Sequence, residues 1–368
     1  MSANRYLVTG GAGFIGRHIV RQLVASGAEV WVLDSLIEQV HGPQPTLPPA
    51  LPESVEFMHG DIRDPAAVRR ALERVDGVFH LAAEVGVGQS MYQIDRYTAV
   101  NDLGTAVLFQ ELIARPVKRV VVASSMSVYG EGLYETADGA TAPHPRRPAK
   151  GWDPVDTQGR ALRPVPTPET KPPQLASVYA LNKYVQERMT LIVAEAYGME
   201  ACALRLFNVY GPGQALSNPY TGVLAIFASR LRNGRQPMVF EDGRQRRDFV
   251  HVQDVARAFR LAMACPEASG EVINIGSGRS VTVTETAERL AQAMGRPEIR
   301  PLVTGKARRG DIRNCFADIT KAERLLGFAP ERDFDNALAQ LAEWVATQEA
   351  QDHAEAARAE LEERGLVA

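Results

Sequence analysis

The chain has 368 residues, 45% of them hydrophobic and 23% charged, with a formal net charge of -3. That balance suits a globular chain with room for about two domains; it excludes a disordered polymer and gives no electrostatic footprint for nucleic acid or an anionic membrane. Three cysteines, Cys202, Cys265 and Cys315, have neither metal-site nor disulfide spacing, so no metal and a reducing, cytoplasmic setting are expected.

In chain order, Tyr6-Leu7-Val8-Thr9 reads as a first strand that the N-terminal residues enter without a leader peptide. No apolar run approaches the ~20 residues of a membrane span. Gly10-Gly11-Ala12-Gly13-Phe14-Ile15-Gly16 follows, and then Ile15, Ile19, Val20, Leu23 and Val24 recur at helical spacing. Glycines at a strand-to-helix turn let a pyrophosphate meet bare backbone N–H groups and the positive end of a helix, so dinucleotide binding is predicted. Glu29-Val30-Trp31-Val32-Leu33 is a second strand that ends at Asp34. An acid there hydrogen-bonds the ribose hydroxyls of NAD and repels the 2′-phosphate of NADP, and no arginine follows to receive that phosphate. NAD is the expected cofactor.

Residues 35–54 read as a proline-rich surface loop. A third strand over 55–59 leads into Gly60-Asp61-Ile62, and a helix over 66–74 is capped by Asp64. Val78-Phe79-His80-Leu81-Ala82-Ala83 forms a fourth strand, residues 98–114 a long helix, and residues 117–123 a fifth strand that delivers Ser124-Ser125-Met126-Ser127. This alternation predicts an α/β fold: a doubly wound parallel sheet of Rossmann type, with ligands beyond the carboxyl ends of the strands. Ser177-Val178-Tyr179-Ala180-Leu181-Asn182-Lys183 then opens a helical run that stacks Tyr179 and Lys183 on one face. An ammonium one turn away lowers the pKa of a phenol from its ordinary ~10, as a general base requires.

Together these residues resemble the extended short-chain dehydrogenase/reductase family, in particular its nucleoside-diphosphate-sugar epimerases and dehydratases. The glycine turn, Asp34, Gly60-Asp61-Ile62, His80-Leu81-Ala82-Ala83, Asn101, Ser125 and Tyr179 with Lys183 carry the resemblance. Arg205-Leu206-Phe207-Asn208-Val209-Tyr210-Gly211-Pro212, Arg247-Asp248-Phe249-Val250-His251-Val252 and Arg308-Arg309-Gly310-Asp311 extend it to about Phe328. It implies that Tyr179 is the base, that Lys183 holds the nicotinamide ribose and tunes the tyrosine, and that Ser125 bonds the reacting hydroxyl. Gly10, Gly13, Phe14, Ile15, Gly16, Asp34, Asp61, Ile62, Leu81, Ala82, Ala83 and Asn101 are the implied cofactor contacts. Glu84, Ser127, Asn208, Phe240, Arg247 and Arg308 are the implied substrate contacts, the two arginines clamping a diphosphate in the bidentate way guanidinium groups favour.

Dehydratases of this family carry an Asp-Glu pair after the catalytic hydroxyl residue, because eliminating water needs an acid and a base. Met126 and Ser127 stand there, which disfavours dehydration and leaves 4-epimerisation, an isomerase reaction that regenerates NAD in each cycle. Segments 84–90 and 207–220 look most like dTDP-L-rhamnose 4-epimerases, and next like UDP-glucose 4-epimerases. UDP-N-acetylglucosamine 4-epimerase, or a ketoreductase or decarboxylase acting on nucleotide sugars, are the alternatives. Intact Tyr179, Lys183 and Ser125 argue against a non-catalytic NAD-binding regulator.

The expected organisation is a cofactor domain over 1–207, with segments around 248–275 returning to it, and a smaller α+β substrate domain over 208–340. Helices over 223–232 and 252–264 and strands over 238–240 and 272–275 are expected in the C-terminal third, the helix at 252–264 and the strand at 272–275 within the return to the sheet. Residues 131–176 read as a proline-stiffened insertion without cysteines, hence without zinc, lying as a loop beside the sugar pocket. Cys315 stands where the resemblance implies a residue bordering that pocket, and reads equally as a small buried filler. Residues 341–368 read as a solvated, charged helical tail without a functional role. Helices 98–114 and 178–197 are the expected homodimer seam.

Overall fold

Seven apolar runs assemble side by side: β1 Arg5–Thr9, β2 Glu29–Asp34, β3 Glu56–His59, β4 Gly77–His80, β5 Arg119–Ser125, β6 Glu200–Leu206 and β7 Val272–Ile275. The structure, a computed structural model, describes residues 4–42, 51–148 and 151–367. Every pairing in the sheet is parallel, and the order across it is β7-β6-β5-β4-β1-β2-β3. The chain winds outward from β1 to β3 and then crosses to β4 on the other side. That reversal leaves a crevice above the carboxyl ends of β1 and β4, where this kind of sheet binds ligands.

Successive strand residues point to opposite faces, and both faces are covered. Val8, Val121 and Leu204 pack against α1 (Phe14–Ala25) and, through Val255 and Phe259, a helix over Val252–Ala264. Leu7, Val120 and Ala201 pack the other way, against helices over Pro65–Ala71, Gly104–Ala114 and Val178–Ala196. Burial on both faces explains why these strands read as unbroken apolar runs instead of alternating ones. Asp64 caps the Pro65–Ala71 helix as its sequence predicts, accepting the Ala66 N–H at 2.9 Å.

The expected helix over 98–114 has an interruption. It begins at Ile94, passes through a π turn over Ala99–Leu103 and resumes as α-helix at Gly104. Such single wide turns recur at functional sites, and this one carries Asn101. A short helix, Glu38–His41, lies within the expected 35–54 loop; residues 43–50 of it lie outside the described residues.

A second core joins helices Val223–Arg232, Val283–Ala293 and Phe334–Ala346 through Phe227, Leu290 and Leu341. Two expectations are corrected here. Leu341 and Val345 are fully buried, so position 341 begins no tail; the terminal helix Ala354–Glu363 also buries Leu361 and lies across a cavity described below. The 131–176 insertion is more than a loop. Leu133–Glu135 pairs antiparallel with both Thr141–Ala142 and Arg163–Val165. Arg147 bonds Glu131 at 3.0 Å and Glu241 at 2.8 Å, and buried Arg313 bonds Asp153 at 2.8 Å and Glu241 at 3.0 Å, tying the insertion to the segments of Glu241 and Arg313. Among the described residues no helix is long and apolar enough to cross a membrane, and no group of three His, Cys, Asp or Glu is placed to hold a metal.

Candidate active site

The glycine turn comes from backbone crowding. Gly10 has φ +68°, and a Cβ there would stand 2.8 Å from the Ala82 nitrogen; one on Gly16 would stand 2.3 Å from the Gly10 oxygen. Bare backbone therefore forms the turn, and no side chain caps the first N–H groups of α1. Those groups open on a cleft of about 590 Å³ whose lining includes Phe14, Ile15, Asp34, Asp61, Ile62 and Leu81 through Ala83. Asp34 is buried at the end of β2, accepting the Ala12 N–H at 3.0 Å and the Leu36 N–H at 2.9 Å. Asp61 forms a fork with Arg63, its two oxygens 2.9 and 2.6 Å from the guanidinium, which holds its carboxyl below the usual range. A bare-backbone helix start, a carboxylate one strand away and a cleft of this size fit a dinucleotide.

Asn101 is fully buried and does not line the cleft. Its side chain accepts the Glu84 N–H at 2.7 Å and donates to the Glu84 carbonyl at 3.1 Å, fixing the backbone after β4. Glu84 is likewise not on the sugar side. It lines the cofactor cleft and is held by Arg96 at 2.8 Å. Asn101 is thus corrected from a cofactor contact to a residue that holds the backbone, and Glu84 stands on the cofactor cleft, paired with Arg96.

A second cavity, of about 360 Å³, adjoins the first; Ser127, Phe240, Arg247 and Arg308 line it, and Asn208 borders both. Arg308 is stacked over Phe240, 4.5 Å from the ring centre, and pairs with Asp311 at 2.9 and 3.2 Å. Arg247 donates to the carbonyls of Arg246, Ile312 and Arg313 at 2.6 to 3.0 Å. The hydroxyl of Ser127 and the side-chain oxygen of Asn208 are buried without a protein partner. Cys315 does not border the cavity; it is buried beside Tyr129 and Phe207, and burial pushes its thiol up to about 12.

Ser125 and Tyr179 line both cavities. Ser177 caps the helix of Tyr179 by accepting the Ala180 N–H at 3.1 Å, and Ser90 accepts the Tyr179 N–H at 3.0 Å, so the phenol's origin is pinned from two sides. Burial pushes the Tyr179 phenol up to about 12, with a hydrogen bond from Ser125 working against it. Lys183 is not among the groups that shift it in this cofactor-free state. The ammonium instead donates to the Gln186 side-chain oxygen at 2.6 Å.

Gln186 belongs to a buried chain that sequence reading misses. Its amide donates to the Thr105 hydroxyl at 2.8 Å; Thr105 meets one nitrogen of His80 at 2.9 Å, and the other meets the Thr9 hydroxyl at 2.8 Å. Burial, then the nearby Lys183 charge, pushes His80 down to about 3, so it is the neutral imidazole such a chain needs. The one available signal is that Gln186 stands three residues after Lys183, on the same helical face.

Burial also pushes Lys183 down to about 7 from the ordinary 10.5, against the pull of Glu187 and Asp102. Between those values the unfolded chain binds a proton that the folded chain does not, so this group's contribution to stability rises with pH across the window. Lys183→Met removes that dependence. In thermal unfolding scans the cofactor-free variant is expected to melt above its parent at pH 6.5, the gap closing by about pH 10; a gap that is absent or constant with pH contradicts the assignment.

The chain matches the NAD dependent epimerase/dehydratase family over residues 6–150 and 157–276. It is 34% identical over 355 residues to a dTDP-L-rhamnose 4-epimerase of Burkholderia thailandensis, covering 94% of this chain and 96% of that one. A UDP-glucose 4-epimerase of Thermotoga maritima, solved with UDP-glucose, is 32% identical with a TM-score of 0.77, covering 93% of this chain and 98% of its own. A UDP-glucose 4-epimerase of Thermus thermophilus, solved with NAD, is 30% identical with a TM-score of 0.74, covering 94% of this chain and 100% of its own. The chain belongs to the NAD dependent epimerase/dehydratase family, as an extended short-chain dehydrogenase/reductase with NAD as its cofactor and a nucleoside-diphosphate-sugar epimerase activity.

Proposed function

We propose that the chain inverts C4 of a nucleoside-diphosphate sugar, with dTDP-L-rhamnose as the first candidate and UDP-glucose the second. The observation that carries this reading is the position of Tyr179 and Ser125 on the wall common to both cavities. A phenol there faces a cofactor on one side and a sugar on the other. Tyr179 takes the proton of the C4 hydroxyl, and Ser125 holds the same oxygen. NAD, when bound, supplies the acceptor that takes the C4 hydride and gives it back, together with a positive ring that favours the phenolate. The sugar then turns over as its 4-keto form, so that C4 regains its hydrogen on the other face, and Tyr179 gives the proton back to the C4 oxygen.

Met126 and Ser127 give the pocket no acid-base pair for elimination, which favours inversion over dehydration. Arg247 and Arg308 hold the diphosphate, Phe240 packs on the base, and Asn208 with Ser127 offer acceptors to substrate donors. The relative from Burkholderia supports the dTDP sugar, and the solved relatives support the UDP sugar. Residues 1–207 with the return over 248–275 make the cofactor domain, and 208–340 most of the substrate domain. A homodimer seam on the Val178–Ala196 helix and its neighbour is supported by Leu103, Leu181 and Ile192, exposed at 53%, 46% and 56%. The function is tested by incubating purified enzyme with a panel of dTDP- and UDP-sugars and following C4 configuration by NMR. Inversion of one panel member is expected; inversion of none overturns the reading.

A further inference from the structure

We infer that the C-terminal helix Ala354–Glu363 is the closing wall of the substrate cavity and that its Arg358 is a further binding residue for the diphosphate-bearing part of the substrate. The inference rests on the nucleotide-sugar reading above. Ala354, Ala357, Arg358 and Leu361 line the same cavity as Arg247 and Arg308. The wall is tied to three separate parts of that cavity's rim. Glu360 accepts from the hydroxyls of Tyr92 and Tyr220, each at 3.0 Å, and those hydroxyls are 2.6 Å apart. Leu361 lies 3.4 Å from where Gly88 would carry a Cβ. The Arg309 N–H donates to the Leu366 carbonyl at 2.8 Å, joining the terminal segment to the loop of Arg308. Before the helix, Asp352 is anchored by buried Arg230 at 3.1 Å.

Within this wall Arg358 is under-used. One of its nitrogens donates to the Met238 sulfur at 3.6 Å, and another stands 3.5 Å from Glu362, whose carboxylate Lys306 already holds at 2.8 Å. A guanidinium has five N–H donors, so most of its capacity is left for a ligand. Arg308, by contrast, is forked to Asp311, and Arg247 is engaged by three carbonyls. A diphosphate entering this cavity gains charge-assisted bonds from Arg358 without first breaking an ion pair of comparable quality.

The test is calorimetric titration of full-length, NAD-loaded enzyme with UDP, dTDP and the corresponding nucleosides. Arg358→Ala is expected to weaken nucleoside-diphosphate binding about tenfold while leaving nucleoside binding within about twofold, because the lost contact is to phosphate. Arg358→Lys should recover part of the loss through its retained charge. Should the alanine variant fold poorly, Arg358→Gln keeps the stem and carries the same expectation. Unchanged diphosphate affinity in a folded variant overturns the role of Arg358 and leaves the substrate reading standing. A parent enzyme that binds neither diphosphate overturns both.

Discussion

Tyr179→Phe is expected to cut turnover roughly a thousandfold, within the ~10²–10⁴ range of acid-base groups, while the purified protein keeps its NAD. The substitution removes one oxygen from a side chain whose ring remains packed, so the fold and the glycine turn have no reason to change. What disappears is the group common to both cavities that can take the C4 proton. Ser125 cannot replace it, because a serine hydroxyl has no accessible anionic form at neutral pH and already accepts the Ser127 N–H at 3.1 Å. Steady-state turnover beside quantitation of released cofactor separates the two effects. Near-parental turnover would show that the base lies elsewhere.

Glu187→Ala is expected to cost about 3–5 kcal/mol of stability, the usual consequence of leaving a buried charge alone. Glu187 and Arg205 form a fork at 2.9 and 2.7 Å with side chains 1% and 5% exposed. Ser124 donates to the same carboxylate at 2.7 Å, and Arg205 stands 4.7 Å over the Tyr129 ring. The pair therefore locks the Val178–Ala196 helix to the ends of β5 and β6, one turn beyond Lys183. Losing the carboxylate leaves Arg205 buried without its ion-pair partner and removes a charge that favours the Lys183 ammonium. Replacing both partners, as Glu187→Leu with Arg205→Met, should recover much of the loss, since well-packed apolar pairs match buried ion pairs in stability. Denaturant unfolding of the cofactor-free proteins measures both; a cost below about 1 kcal/mol for Glu187→Ala would mean that water or a neighbour compensates Arg205.

Local chemistry is legible in the sequence. The glycine turn, the acid ending β2, the serines ending β5 and the Tyr179–Lys183 spacing are each set by neighbours within a few residues. The parallel sheet follows from the alternation of buried runs and helical periods. Contacts between remote segments are not legible in this way. Glu84 has no sequence mark that distinguishes a sugar ligand from a partner of Arg96, and Asn101 reads as a cofactor contact until its bonds to the Glu84 backbone are seen. The acidity of the Tyr179 phenol cannot be read from the pattern, because spacing gives the distance to Lys183 along a helix but says nothing of desolvation, which dominates both groups here. The His80–Thr105–Gln186 chain joins elements 25 and 81 residues apart. The alanine- and charge-rich terminal segment reads as solvated because its apolar stripe is narrow, a single face laid on a cavity.

The most direct measurement uses a nucleotide sugar deuterated at C4, followed by NMR in ordinary water. Inverted product that keeps its deuterium at C4 is the predicted result, because the hydrogen leaves carbon as a hydride and returns from within the closed site while only the hydroxyl proton passes through Tyr179. Inverted product that has exchanged its deuterium for solvent hydrogen, or a deuterated sugar left unchanged at C4, contradicts the account.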